Sequence, residues 1–327
     1  MSSKNQLVLE NLDQRVLRAD EQIRYAVRET PCEDASDLLP GLPARLLFKR
    51  EDLQHTGSFK LRGATNKLLS LTSEQRAAGV IAASNGNHGL GVAYAAKNLG
   101  TEAEVYVSKH VSPSKATKIE DLGARICYVG EDPLAAEIAG RTAAVESGKV
   151  FISPYNDADV IAGQGTIAVE LLRQAKPDAV FVAVGGGGLI GGIGAYLKSL
   201  SPQTEVVGCW PHNSRVLYEC MKAGDVIDVA EHPTLSESTA GGLEPGSITV
   251  DICKRVIDQS IFVSEDEILA AIRVVRKKRG WLMEGAAAVA LAAFLQERQR
   301  YAGKTVAVVI CGGNLSPEVL RQIGQDH

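Results

Sequence analysis

Short apolar and β-branched runs alternate with helix-patterned segments along most of this chain, and that alternation restricts its fold more than any other feature. Leu46-Leu47-Phe48, Val80-Ile81-Ala82, 103–107, 125–129 and Val150-Phe151-Ile152 are strand-like, with helical periodicity over 87–99, 114–122 and 133–147. A second series follows: a strand at 179–184, a helix at 189–199, a strand at 205–209 and a strand at Ile261-Phe262-Val263. The helix after Ser264-Glu265-Asp266-Glu267 opens on a capping box formed by Ser264 and Glu267. An alanine-rich helix at 284–298, a strand at 306–310 and a short helix after Ser316-Pro317 complete the pattern, and a polar helix at 13–28 precedes it. Such regularity predicts an α/β protein with parallel strands and right-handed crossovers. No repeat and no Gly/Ser/Pro-rich linker divides the chain, so two sheets sharing one deep cleft are expected.

Composition narrows what such a fold can do. With 327 residues, 45% hydrophobic and 23% charged, the chain can bury the core of two lobes. A formal charge of −4 leaves no footprint for nucleic acid, and the basic run Arg276-Lys277-Lys278-Arg279 suits the last turn of a helix before Gly280. Met1-Ser2-Ser3-Lys4-Asn5-Gln6 has no charged segment leading into an apolar one, so no secretory leader is expected. The longest apolar run, 285–295, is shorter than the ~20 residues that span a bilayer. A cytoplasmic protein without membrane contact is expected. Scattered cysteines at 32, 127, 209, 220, 253 and 311 form no Cys-x-x-Cys pair, and no histidine stands at ligand spacing, so neither a disulfide framework nor a metal site is expected.

Chemistry is concentrated at a few glycine-rich turns. In Thr56-Gly57-Ser58-Phe59-Lys60-Leu61-Arg62-Gly63-Ala64, Gly57 permits a tight turn, Ser58 suits a helix N-cap, and Arg62 and Lys67 suit the exposed face of a helix over 59–71. A lysine held beside an apolar ring loses hydration, which makes its free amine available as a nucleophile. The local sequence alone is better met by a solvated helix lysine at Lys60. Val184-Gly185-Gly186-Gly187-Gly188-Leu189 joins a strand to a helix and lets backbone N–H groups converge on a phosphate, or simply allows close packing. It lacks the lysine and Ser/Thr of a nucleoside-triphosphate loop. Ala83-Ser84-Asn85-Gly86-Asn87-His88-Gly89 can bind a carboxylate at a helix start or serve as an ordinary cap, and Cys311-Gly312-Gly313-Asn314 is a further strand-end turn.

Together with Ile161-Ala162-Gly163-Gln164-Gly165-Thr166, these stretches run in one order over about residues 31–314, and the set resembles the serine/threonine dehydratase and serine racemase family. The resemblance implies a fold type II, tryptophan synthase β-like architecture: two open, twisted, mostly parallel sheets flanked by helices, with pyridoxal 5′-phosphate in the cleft. It implies a large cofactor-binding domain from 1–69 and 153–327, a small domain from 70–152, and a homodimer acting on a small amino-acid substrate. Lys60 would carry the cofactor as an imine with Phe59 packed beside it. Gly185, Gly186, Gly187 and Gly188, with Leu189, would hold its phosphate, Asn87 would face its 3′-oxygen, and Glu284 would belong to the same shell. Cys311 falls where the family often has serine near the pyridine nitrogen, and a neutral group there makes a moderate electron sink suited to β-elimination. Ser84, Asn85, Gly86, Asn87 and His88 would take the substrate carboxylate. The implied reaction converts a β-hydroxy amino acid such as L-threonine or L-serine into a 2-oxo acid and ammonia, with the freed Lys60 amine taking the α-proton.

Several positions depart from the family pattern. Racemases of the family carry a second serine where this chain has Asn85, and an amide exchanges no proton at useful pH, so racemisation is not expected. Trp210 stands where relatives have a glutamate that helps bind a divalent cation, so that metal site is expected to be missing. Ser153-Pro154 replaces the usual His-Pro, and Ser238-Thr239-Ala240-Gly241-Gly242 replaces an Ala-Asp-Gly. These changes open the substrate to larger hydroxylated amino acids, of the 3-hydroxyaspartate kind or those of hydroxyectoine-utilisation dehydratases, which this chain also resembles around 236–249. The chain ends soon after Asn314, and no isoleucine-sensing regulatory domain is expected. A β-replacement enzyme resembling cysteine synthase would carry an Asn-Thr-Gly type of loop, a nucleotide-binding dehydrogenase would leave Lys60 without a role, and a catalytically silent binding protein would have lost Lys60.

Overall fold

The computed structural model describes residues 11–315 and 317–324. Met1 to Gln6, read above for a leader, and Ser316 lie outside the described residues. In chain order the strands are β1 (Cys32–Asp34), β2 (Arg45–Arg50), β3 (Val80–Ala83), β4 (Ala103–Val107), β5 (Arg125–Tyr128), β6 (Val150–Phe151), β7 (Ala179–Ala183), β8 (Glu205–Pro211), β9 (Gln259–Val263) and β10 (Thr305–Ile310). They form two sheets flanked by helices, one six-stranded in the order β1-β2-β10-β7-β8-β9 and one four-stranded in the order β5-β4-β3-β6. Every pairing is parallel except β1 with β2. The α/β expectation therefore holds, with one antiparallel edge that the sequence reading passes over because Cys32-Glu33-Asp34 is short and polar. Buried apolar side chains gather into two clusters, one on each sheet, and among the described residues no helix is long and apolar enough to cross a membrane.

Several helices also escape the periodicity reading: Ser73–Ala78, Ala158–Gln174, Val216–Ala223 and Thr249–Val256. Ala158–Gln174 matters most for the site. It opens on Asp157, whose carboxylate accepts from the backbone N–H of Asp159 (2.8 Å) and Val160 (3.1 Å). Its interior glycines read locally as helix breakers, yet they mark backbone-to-backbone crossings. A Cβ on Gly163 would stand 2.7 Å from the Arg62 carbonyl oxygen in the Lys60–Ser70 helix. A Cβ on Gly192, in the Gly188–Leu200 helix, would stand 2.2 Å from the Ile161 carbonyl oxygen. One helix thus lies in direct contact with both the helix that begins at Lys60 and the helix that follows the glycine loop.

The expectation that Arg62 and Lys67 face solvent is corrected. Arg62 is completely buried: its Nε and Nη2 donate to Glu51 (2.7 and 2.8 Å), and its Nη1 and Nη2 donate to Glu170 (2.6 and 2.9 Å). Buried Lys49 donates to Glu170 Oε2 (2.6 Å) and to the Thr30 carbonyl (2.6 Å). Burial works to raise the pKa of Glu170, but Arg62 and Lys49 outweigh it and hold the carboxyl below its ordinary range. Lys67 is half-buried and pairs with Asp157 (2.6 Å) and Asp159 (3.3 Å) at the start of the crossing helix. Arg62 and Lys67 stand about 140° apart around their helix, and each meets acids of a neighbouring element rather than solvent.

Candidate active site

Lys60 owes its place to a strand-like staple between segments far apart in sequence. Phe59 N–H donates to the Cys311 carbonyl (3.0 Å), Gly313 N–H donates to the Gly57 carbonyl (3.0 Å), and Ser58 bridges Gly312. Ser58 is therefore not the cap of the lysine helix, which begins after Phe59 with no side-chain cap; its backbone is extended against Gly312 and its hydroxyl is buried without a partner. The staple brings the first helical residue, Lys60, beside the turn that ends β10. Lys60 is half-buried, with Nζ 5.1 Å from the centre of the Phe59 ring and donating to the Pro154 carbonyl (2.8 Å). Burial of Nζ lowers its pKa to about 8, against the opposing pull of Cys311 and Glu284. An amine in that range is substantially neutral at mildly alkaline pH, as a nucleophile or proton acceptor requires.

A single cavity has Lys60, Phe59, the four glycines 185–188, Leu189, Glu284 and Cys311 in its wall. The glycine loop runs from the end of β7 into the Gly188–Leu200 helix, so the start of that helix lies in the cavity wall, where backbone N–H groups favour an anion. Its glycines are also required by neighbours. Gly187 has φ of +85°, and a Cβ there would stand 2.6 Å from a Leu217 methyl; a Cβ on Gly186 would meet the Tyr155 ring at 2.4 Å. Gly187→Ala should therefore destabilise the fold by about 1–3 kcal/mol, read by urea unfolding, and weaken cofactor binding at least about tenfold in a spectroscopic titration.

At the opposite end, Cys311 Sγ lies 3.8 Å from Glu284 Oε1, and burial, then Glu284, push the thiol pKa well up so that it stays neutral. Burial also raises the pKa of Glu284, opposed by Asn87, whose Nδ2 donates to both carboxylate oxygens (3.1 and 2.9 Å). Asn314 Nδ2 donates to Asn87 Oδ1 (2.8 Å) and to the Thr56 carbonyl (2.9 Å), closing the network back onto the lysine segment.

Ser84, Asn85, Gly86 and His88 lie outside the wall of this cavity, and Asn87 meets it through Glu284. Ser84 Oγ accepts from Gly86 N–H (3.1 Å). Asn85 turns to Ser108, donating to its hydroxyl (2.8 Å) and accepting from its N–H (2.9 Å). His88 is buried, with Nε2 donating to the Ile152 carbonyl (2.8 Å); burial and then the charge of Lys60 lower its pKa to about 3, so it is neutral. Trp210 is buried against Phe262 and Tyr218, and among the described residues no cluster of His, Cys, Asp and Glu could hold a metal ion.

The sequence reading does not name Tyr155, Ser238 or Thr239 as site residues, although all three line the cavity. Each lies within or beside a segment that departs from the family pattern, and that departure is the signal that could have found them. The Pro154 carbonyl has no such signal, because any residue supplies one.

The residues fit a flat, phosphorylated aldehyde: an amine, a glycine cradle and a neutral thiol face one cavity. The family described as "Pyridoxal-phosphate dependent enzyme" matches residues 23–312. An L-threonine ammonia-lyase of Thermotoga maritima is 37% identical over 94% of this chain and 77% of its own length. A phenylserine dehydratase of Ralstonia pickettii is 35% identical over 90% of each. The processed form of threonine deaminase isoform 2 from Solanum lycopersicum superposes with a TM-score of 0.90 at 30% identity, covering 96% of this chain and 92% of that one.

Proposed function

The chain belongs to the pyridoxal-phosphate-dependent enzyme family, and from that premise we propose that it is an ammonia-lyase converting L-threonine or L-serine into a 2-oxo acid and ammonia. The observation that carries this reading is the shared cavity of Lys60, the glycine loop and Cys311. Lys60 Nζ would hold the aldehyde, the N–H groups at 185–188 the phosphate, and the Cys311 thiol the ring nitrogen. When bound, pyridoxal phosphate supplies the electron sink for the pair left on the substrate α-carbon. Lys60 Nζ, once free, accepts the α-proton, and the Pro154 carbonyl beside it accepts a hydrogen bond from the resulting ammonium. The neutral Cys311 thiol would hold the ring nitrogen without lending it a charge. Loss of the β-hydroxyl with the α-proton amounts to loss of water, and water returns to expel ammonia. The start of the Asn87–Leu99 helix, with the Ser84 hydroxyl, is the proposed carboxylate anchor.

Ammonia and 2-oxo acid release from a panel of β-hydroxy amino acids tests the proposal, with L-threonine and L-serine expected to lead. Turnover confined to an aryl-bearing or carboxylate-bearing substrate would favour the second reading, a dehydratase of a larger hydroxylated amino acid. That reading draws on the similarity to a phenylserine dehydratase and on Ser153, which stands where the family resemblance implies a bulkier histidine. In the same assay D-serine should form from L-serine at least about 10²-fold more slowly than ammonia, because Asn85 has no exchangeable proton at useful pH and its amide is bound to Ser108. Chiral separation of the product mixture measures it; comparable rates would contradict the reading that Asn85 transfers no proton.

A further inference from the structure

We propose that Glu244 is a positioning residue for the Lys60 amine, acting through the segment 153–156 and tied by Arg141 to the helix on the four-stranded sheet. The segment between β6 and the Ala158–Gln174 helix uses its backbone and its side chains on different partners. Its main chain serves the site: the Ile152 carbonyl accepts from His88 Nε2 (2.8 Å), and the Pro154 carbonyl accepts from Lys60 Nζ (2.8 Å). Its side chains serve Glu244. Ser153 Oγ donates to Oε1 (2.9 Å) and Asn156 Nδ2 donates to Oε2 (3.0 Å), so each carboxylate oxygen accepts from this segment. Ser153 Oγ also accepts from Asn156 N–H (3.0 Å), and Asn156 Oδ1 accepts from Ile248 N–H (3.0 Å). Between them, the Tyr155 hydroxyl accepts from Glu244 N–H (2.8 Å) and its ring packs against Gly186.

One carboxylate thus fixes the register of a strap that touches both the amine and the glycine loop. The carboxylate is itself held from the other sheet. Arg141, in the Pro133–Ser147 helix, pairs with Glu244 and with Glu137 (3.0 Å) and lies over the Phe151 ring, its guanidinium carbon 4.3 Å from the ring centre. Against Ser153, where the sequence reading finds the family's histidine and a nearby acid missing, Glu244 restores a carboxylate. The charged and titratable groups facing Lys60 are Cys311, Glu284 and His88. Those facing Glu244 are Arg141 and Tyr155, with Glu137 alongside. Glu244 reaches Lys60 through the Pro154 carbonyl, whose aim the Ser153 and Asn156 contacts determine.

This inference rests on Lys60 as the point of cofactor attachment, and one measurement separates the two. Full-length apoprotein is mixed with pyridoxal phosphate across a pH series, and the visible absorbance that grows as Nζ condenses with the aldehyde and water leaves is followed. For the unsubstituted protein the rate should rise with pH about a midpoint near 8. An ammonium that loses a hydrogen-bond acceptor gives up its proton more readily, so Glu244→Ala should lower the midpoint by about half to one unit. The double substitution Ser153→Ala/Asn156→Ala keeps the Glu244 charge and should shift the midpoint the same way, while Glu244→Asp should recover part of the shift. An unchanged midpoint in both, even with a lowered Tm, overturns the proposal. So does a shift in Glu244→Ala alone, which would mean that the charge acts directly across space. Should Glu244→Ala fail to fold, the double variant decides the question by itself. Absorbance that develops equally in Lys60→Ala would overturn the attachment, and this inference with it.

Discussion

Lys60→Ala is expected to abolish the colour that the protein takes up with pyridoxal phosphate and to slow ammonia release by at least about 10³-fold. Two roles are lost together. The substitution removes the amine proposed to hold the aldehyde and to accept the α-proton, and nothing else in the cavity replaces it in either role. Glu284 is committed to Asn87, Cys311 stays a neutral thiol, and His88 is neutral with Nε2 donating to Ile152. The measurement is paired: an absorbance titration for attachment and an ammonia assay for turnover, with borohydride bleaching of the unsubstituted protein as the positive control. Circular dichroism should be unaltered, because half-buried Lys60 makes its hydrogen bond to a carbonyl at the cavity wall rather than within the core. Full colour with lost turnover would separate the two roles and move attachment elsewhere.

Arg62→Met is expected to cost about 3–5 kcal/mol of unfolding free energy, the largest stability effect of any single substitution considered, measured by urea denaturation. The reason is what the substitution leaves behind. Glu51 and Glu170 would keep their places in the core with one cation, Lys49, between them. Adding Glu51→Gln and Glu170→Gln should therefore restore part of the loss rather than deepen it. The pH dependence has a definite sign. The folded pKa of Glu170 is depressed, so its contribution is present above the ordinary carboxylate pKa of 4.5 and is lost as pH falls through the folded value. The gap between Arg62→Met and its parent should narrow as the measurement is moved from pH 7 into acid below about 4.5. A gap that is constant with pH would show that the guanidinium acts by packing alone.

Arg62 shows where the sequence becomes hard to read. Its helix is legible from periodicity, and the turn before it from Gly57. Whether a charged residue on a helix faces water or a pair of buried acids depends on Glu51 and Glu170, and no local pattern joins them. Strands with several consecutive apolar residues, such as Val180 to Val182, announce themselves, whereas Cys32-Glu33-Asp34 pairs at a polar edge and does not. At the site, the turns at 185–188 and 311–314 are visible because glycine clusters at strand ends are unusual, and the turn at 57–60 is visible from Gly57. Tyr155 and Glu244 are not, since both act by reaching across to elements more than eighty residues away. Asn85 is a mixed case: its identity argues against proton transfer, and only the fold shows its amide bound to Ser108.

The crossings of the Ala158–Gln174 helix have one more consequence. Backbone rests on backbone at Gly163 on one side and at Gly192 on the other, so the separation between the helix that begins at Lys60 and the helix that follows the glycine loop is set by the thickness of a bare helix. Beside the Gly163 crossing, the Gln164 side chain accepts from Gly63 N–H (3.0 Å) and ties the two helices together. On the proposed assignment, the two crossings hold the Lys60 amine and the glycine loop at a constant separation.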